Sequence, residues 1–347
     1  MTDFLDTVRA AIEKYRMIKP GDRVLVGVSG GPDSAALLTA LVAIRSEKRI
    51  LLRAATIDHG TRAAAVRREI ALVEKLGRRW QVPVSIVRLV IPKKGGESWE
   101  AAARAARYDA LSRLARRYRC QVIALGHTQD DQAETVLMWL LRGAGTTGLS
   151  GIPPVRLLRT APRKKNVTII RPLIHCSRKE VEIYLKDHRI QPLRDRTNNS
   201  QRFLRNRIRK KLLPFLERRY SPQLRKHLSE LAEILREDLG YLESCIAEEF
   251  RKVARLDKGR IRLARDKMRG LSPALRRGIL RRSVEILQGS CQGFHKRHWM
   301  LMEGLVTDGT LKALDLPHGL RAVVPQEKTL LIFHTGVVKP ALHLVHY

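Results

Sequence analysis

Ser29, Gly30, Gly31, Pro32, Asp33 and Ser34 stand in a row, SGGPDS, between the apolar runs VLVGV and AALL. Two adjacent glycines let successive N–H groups turn inward onto an anion, and a helix opening at Pro32 adds its N-terminal dipole. Both serine hydroxyls can donate to phosphate oxygens. Asp33 would repel a phosphate unless a metal lies between them, so the set points to a polyphosphate bridged by Mg2+ to Asp33. A plain turn requires one glycine and neither the serines nor the aspartate. The loop itself is neither GxxxxGK[ST] nor GxGxxG, which sets aside two familiar phosphate loops.

Other polar clusters recur at strand ends and on helix faces. IDHGTR places Asp58, His59 and Arg62 just after an apolar run. EAAARAARY spaces Glu100, Arg104, Arg107 and Tyr108 at i, i+4, i+7 and i+8, one helical face. GHTQDDQAET does the same for His127, Asp130 or Asp131, and Glu134, behind Gly126. From 194 to 219 ten Arg or Lys meet only Asp195 and Glu217, with Phe203, Leu204 and Ile208 interleaved. Each cluster has a bland counterpart: a surface ion pair, acids suiting a helix dipole, a solvated basic face. HxxxDxxE lacks paired-histidine spacing, which argues against a zinc site.

The elements that must hold these residues alternate. RVLVGV, LRAATID, VSIVRLVI and QVIALG read as buried strands, VTIIRPL as a fifth, each followed by a helical stretch. Such alternation predicts an α/β fold with a parallel sheet, and ligands in that fold gather at the C-terminal strand edge. Alternation stops at Pro192. A basic segment and a helical stretch from about 222 to 255 follow, then helices mixed with the strand-like pieces RAVV and TLLIF. We expect a catalytic domain over 1–215 and, over 216–347, a mostly helical RNA-binding accessory region ending in a small α+β piece.

The chain has 347 residues, too many for one core to serve well. Its 67 Lys and Arg against 34 Asp and Glu give a formal charge of +33, spread along the length, which calls for a polyanionic partner such as nucleic acid. No apolar run is long enough to span a membrane. The N-terminal MTDFLDTVRAAIEKY reads as an amphipathic helix and not a signal peptide. Cys120, Cys176, Cys245 and Cys291 are scattered without any CxxC, which fits a reducing cytoplasm. The oligomeric state is not fixed by these residues; a homodimer is compatible with them.

SGGPDS after a buried strand resembles the PP-loop of the N-type ATP pyrophosphatases, which cleave ATP to AMP and pyrophosphate while adenylating a substrate oxygen. With IDHGTR, EAAARAARY, GHTQDDQAET, LLRGAGTTGLSG and DRTNNSQRFLRNRIRKKLLP in that order, residues 20 to 220 resemble the tRNA(Ile)-lysidine synthase family. The resemblance implies ATP and Mg2+ as cofactors, and free lysine and a CAU-anticodon tRNA(Ile) as substrates. It implies ATP contacts from residues 29 to 34, Asp58, His59 and Gly126. It places lysine positioning and proton handling with His127, Asp131 and Glu134, without choosing the base among them. Arg107, or failing it Arg104, would steady anionic intermediates. Arg202, Arg205, Asn206 and Arg209 would present the anticodon stem. A tRNA thiolase is the rival reading, weakened by the missing cysteine pairs.

Overall fold

The computed structural model describes residues 3–58, 63–89, 99–158, 166–193, 204–257, 259–308 and 311–335, with side chains of 63–65 and 99–101 outside that description. It divides into two compact units, Met1–Arg236 and Glu237–Tyr347. Among the described residues no helix is long and apolar enough to cross a membrane.

Unit one is built on a six-stranded sheet: β1 (Arg23–Gly27), β2 (Leu51–Asp58), β3 (Val84–Arg88), β4 (Val122–Ala124), β5 (Val155–Leu158) and β6 (Val167–Ile170), in the order β3-β2-β1-β4-β6-β5. All neighbours run parallel except β5, which pairs antiparallel with β6. β5 was not foreseen: VRLL shows no alternation, and its outer residues are exposed or half-buried, as on an edge strand. The helices are α1 (Phe4–Lys14), α2 (Pro32–Ile44), α3 (Ala63–Trp80), α4 (Trp99–Arg117), α5 (Gln129–Leu140), α6 (Thr146–Leu149) and α7 (Arg178–Asp187).

Alternating strand residues feed two cores. Val24, Val26, Ala54, Val122 and Ala124 face one side, joining α1, α2, α3 and α7. Leu25, Ala55, Ile123 and Ile169 face the other and meet Leu111, Leu114 and Ala115 of α4. α2 is apolar around nearly its whole circumference because it lies in the middle of the first layer, with Leu37, Leu38 and Leu41 inaccessible. Each such leucine contributes about 1.5–3 kcal/mol by leaving water.

Beyond residue 203 the chain packs on α5: α8 (Leu204–Arg207), a π-helical turn (Ile208–Leu212), α9 (Leu213–Arg219) and the start of α10 (Leu224–Val253). Ile208, Leu213, Leu228 and Ala232 share a small core with Ala133, Val136 and Leu137. The division between units falls inside α10.

Unit two carries an antiparallel sheet in the order β7-β8-β11-β10-β9, from β7 (Ala254–Asp257), β8 (Arg260–Ala264), β9 (Ala313–Leu316), β10 (Leu320–Gln326) and β11 (Thr329–His334). α11 (Arg265–Arg269), α12 (Pro273–Gln288) and α13 (Lys296–Thr307) share its core, which includes Ile261, Leu263, Leu280, Val284, Met302, Leu305 and Ile332. Helices and strand-like pieces are mixed here as expected, but among the described residues five strands form where two were legible.

Candidate active site

The strand order reverses on either side of β1, between β2 and β4, so the loops leaving β1 and β4 open a crevice at the C-terminal edge. The loop after β1 is Ser29 to Asp33. Gly30 sits at φ +75°, a conformation that penalises a Cβ, and an added Cβ would lie 3.3 Å from the Glu69 backbone. Pro32 occupies the first turn of α2, where its missing N–H is harmless. Ser34 staples the loop: its hydroxyl accepts from Ser29 N–H (3.0 Å) and donates to the Gly31 carbonyl (3.0 Å). The Ser29 hydroxyl lies 3.2 Å from that of Ser34. Leu193 N–H donates to the Gly30 carbonyl (2.9 Å), bringing the end of the α7 connection back to the loop.

From the β4 side comes Gly126. A Cβ there would stand 2.8 Å from the Asp33 carbonyl oxygen and 3.1 Å from Ser34 N, so only glycine lets the two loops touch. Between them the Asp33 side chain is half-buried, and its buried Oδ1 has no hydrogen-bond partner among the described residues. Burial raises its pKa to about 6; Arg178 opposes that rise and Asp131 adds to it. A buried carboxylate oxygen with nothing to bind suits a hard cation that shares its remaining ligands with phosphates. Among the described residues no three His, Cys, Asp or Glu are grouped to hold a metal alone.

α5 begins at Thr128, whose N–H donates to Asp131 Oδ2 (3.0 Å) while Asp131 N–H approaches the Thr128 hydroxyl (3.5 Å), a reciprocal cap. Asp131 Oδ1 then accepts from Arg205 (2.9 Å) and Arg209 (3.2 Å). Glu134, 0% exposed, accepts from Arg205 Nε (2.9 Å), Arg209 Nη2 (2.9 Å) and Arg209 Nε. Two guanidiniums from the helix after residue 203 thus clamp both carboxylates. Burial pushes the Asp131 carboxyl upward, but the Arg205 charge, the Thr128 amide and the Arg209 charge outweigh it and hold it below the usual range. Asp130 serves packing: it accepts from Arg225 (2.8 Å) and from Arg178 N–H at the start of α7 (2.7 Å).

His127 is held neutral. Burial, seconded by the Arg171 charge, lowers its pKa to about 3. Arg171 Nε donates to His127 Nδ1 (3.3 Å), which leaves Nε2 as the protonated nitrogen. Arg171 is 1% exposed and also donates to the Pro153 carbonyl (2.6 Å). Sequence reasoning passed over it, although an arginine inside VTIIRPL, an otherwise apolar run, was the available signal. Gln132 was passed over too. It exchanges hydrogen bonds with both backbone groups of Ile152 (2.5 and 3.1 Å), docking the glycine-rich loop on α5. Gly151 is needed there, since a Cβ would lie 2.4 Å from the Gln132 amide oxygen.

The remaining candidates are spread around this centre. Asp58, 6% exposed, ends β2 and accepts from Arg88 (3.0 Å). On α4, Arg104 donates to Tyr108 (3.3 Å), and its charge is felt at His127 and Arg171; Arg107 is exposed. Asn206 is half-buried on α8, between the two clamping arginines in sequence. His59, Arg62, Arg202 and the Glu100 side chain lie outside the described residues. Cys120 and Cys176 are buried free thiols, and Cys245 and Cys291 are half-buried ones.

Comparison with known proteins fits this geometry. The family model described as "PP-loop domain" matches residues 4–216. The chain is 34% identical over 322 residues to a tRNA(Ile)-lysidine synthase of Caldanaerobacter subterraneus subsp. tengcongensis, covering 92% of this chain and 67% of that one. It is 38% identical over 335 residues to one of Symbiobacterium thermophilum, with the same coverage. Among solved structures, the U34-tRNA thiolase NcsA of Methanococcus maripaludis superposes with a TM-score of 0.55 at 20% identity, over 67% of this chain and 80% of that one, a likeness of fold alone. With the PP-loop at the sheet switch point and relatives of this identity across nine-tenths of its length, the chain belongs to the tRNA(Ile)-lysidine synthase family of PP-loop proteins.

Proposed function

We propose that this chain is an ATP-dependent ligase that joins free L-lysine to C2 of the wobble cytidine in CAU-anticodon tRNA(Ile), releasing AMP and pyrophosphate in the cytoplasm. The observation that carries the reading is the pairing of an orphaned Asp33 oxygen with a two-glycine anion loop at the sheet switch point, in a chain of this family.

The cytosine C2 oxygen attacks the ATP α-phosphorus, and pyrophosphate leaves with the bridging oxygen. The lysine ε-amine then attacks C2, gives up a proton, and AMP departs carrying the former C2 oxygen. Mg2+ held by Asp33 and the triphosphate would supply charge neutralisation on the leaving pyrophosphate. The amides of Gly30 and Gly31 and the Ser29 hydroxyl would orient the phosphates, Gly126 keeping the crevice narrow.

The free amine has an ordinary pKa of about 10.4, so its ammonium must be gathered before it loses a proton. Asp131 and Glu134 have the charge for that work, with one clamping guanidinium moving aside to admit the ammonium. His127, neutral and with Nε2 protonated, serves as a hydrogen-bond donor to substrate in preference to a base. Arg205 and Arg209, once released, and Asn206 would meet the phosphates of the anticodon arm. Arg104 and Arg107 are the α4 groups offered to the adenylate.

The test is to incubate the protein with ATP, labelled lysine and total tRNA and to identify the nucleoside formed. Lysidine supports the reading. A thionucleoside, made when a sulfur donor replaces lysine, would transfer the chain to the thiolase reading.

A further inference from the structure

At the N-terminal edge of the unit-one sheet, opposite the crevice, lies a cleft of about 790 Å³. Arg23, Arg45, Arg49, Arg53, Arg117 and Arg119 line it, and no described lining residue is acidic. Among the described residues none of these six guanidiniums reaches a carboxylate, whereas some arginines elsewhere in the unit do (Arg9, Arg88, Arg113, Arg205, Arg209, Arg225).

Helix dipoles account for part of this set. Arg45 and Arg117 end α2 and α4, where carbonyl ends favour cations, and Arg45 donates to the Trp80 carbonyl (2.8 Å). The other four belong to no helix. Arg23 opens β1 and Arg53 lies on β2, its guanidinium fixed 3.8 Å over the Tyr118 ring and bonded to the Ser85 hydroxyl (3.3 Å). Arg49 and Arg119 hold left-handed turn positions (φ 51° and 53°) that favour glycine. Arg16 and Arg189 do the same after α1 and α7, so this conformation alone singles out nothing. What sets the cleft apart is the convergence of un-neutralised, partly pre-oriented guanidiniums, a surface suited to phosphate oxygens.

We propose that this cleft holds the sugar–phosphate backbone of the RNA substrate's stem, a contact additional to those at the catalytic edge; this rests on the tRNA reading above. The span fits. β1 separates the cleft from the PP-loop by five residues, about 16 Å at ~3.3 Å each. Duplex nucleic acid offers a phosphate per strand about every 3.4 Å, so roughly five base pairs of a stem cover that length. Because helices cover both faces of the sheet, such a stem would run outside a helical layer, parallel to the strands, with its loop at the crevice.

The test uses the full chain with Arg49→Gly and Arg119→Gly together, a change that removes two charges and relieves both left-handed turns, so thermal stability should hold or rise. Binding of tRNA(Ile), of its anticodon stem-loop and of the stemless loop is measured against salt concentration. The proposal expects roughly tenfold weaker tRNA and stem-loop binding at low salt, and a salt slope shallower by about 1 to 2. It expects no change for the stemless loop, and unchanged AMP formation at saturating tRNA. Unaltered tRNA affinity and slope would overturn it, as would an equal loss for the stemless loop. Tripolyphosphate that binds the wild type, fails on the variant and leaves tRNA binding untouched would also overturn it, marking a small-anion site instead. Wild-type protein that forms no AMP with tRNA would refute the parent reading and not this one.

Discussion

Arg209→Met tests the clamp on α5. Glu134 is 0% exposed and takes two of its three side-chain hydrogen bonds from Arg209, the third from Arg205. Removing one partner of a buried ion pair costs about 3–5 kcal/mol, because the other charge is left without compensation. Here the Arg209 side chain is 28% exposed and Arg205 stays, so about 2–3 kcal/mol is the expected loss. Glu134→Met should cost less, since the orphaned arginines keep Asp131 and reach water. In the Glu134→Met background Arg209→Met should then cost under about 1 kcal/mol, giving a coupling energy of about 2 kcal/mol. For a unit of this size the single arginine change corresponds to a melting shift of about 4–12 °C. Urea unfolding of the four proteins, followed by tryptophan fluorescence, measures the cycle. An Arg209→Met loss below 1 kcal/mol, or a coupling near zero, would refute the view that the clamp holds α8 and the π-helical turn on α5.

Other consequences are equally direct. Asp33→Asn should abolish pyrophosphate release while leaving tRNA affinity, measured by filter binding, within about twofold. It should also stabilise the fold: burial raises the Asp33 pKa from its ordinary 3.8 to about 6, so its contribution is fully present below pH 4 and is lost as pH rises through 6. At pH 7.5 the asparagine variant should therefore be more stable, on the order of 1–3 kcal/mol by urea titration. His127 has the opposite sign. Its depressed pKa gives stability that is present above pH 6.5 and lost progressively on acidification towards 3, a loss that His127→Gln should blunt. Gly126→Ala drives a Cβ against the Asp33 carbonyl at 2.8 Å and should raise the KM for ATP at least tenfold, with tRNA binding unchanged.

The candidate site was legible because its residues are local in sequence. SGGPDS and GHTQDDQAET each follow a strand, and strand order alone brings Gly126 against Asp33. α10, expected over about 222 to 255, spans Leu224–Val253 because its apolar residues recur at helical spacing. What escaped depends on partners far along the chain. Nothing near Arg205 announces that it bonds Asp131 and Glu134, 74 and 71 positions earlier. Arg171 was hidden in the same way, as was β5, whose edge position leaves no hydrophobic pattern. The sheet of unit two pairs β8 with β11, some 65 residues apart, through strands too short to stand out singly.

The central claim is that the loop between β1 and α2 lets ATP adenylate a nucleobase oxygen. tRNA(Ile) carrying oxygen-18 at C2 of the wobble cytidine, given to the protein with ATP, Mg2+ and lysine, tests it most directly. Mass spectrometry should find the heavy oxygen in AMP, in proportion to lysidine formed, and none of it in pyrophosphate. AMP of ordinary mass alongside modified tRNA, or the heavy label in pyrophosphate, would contradict the account.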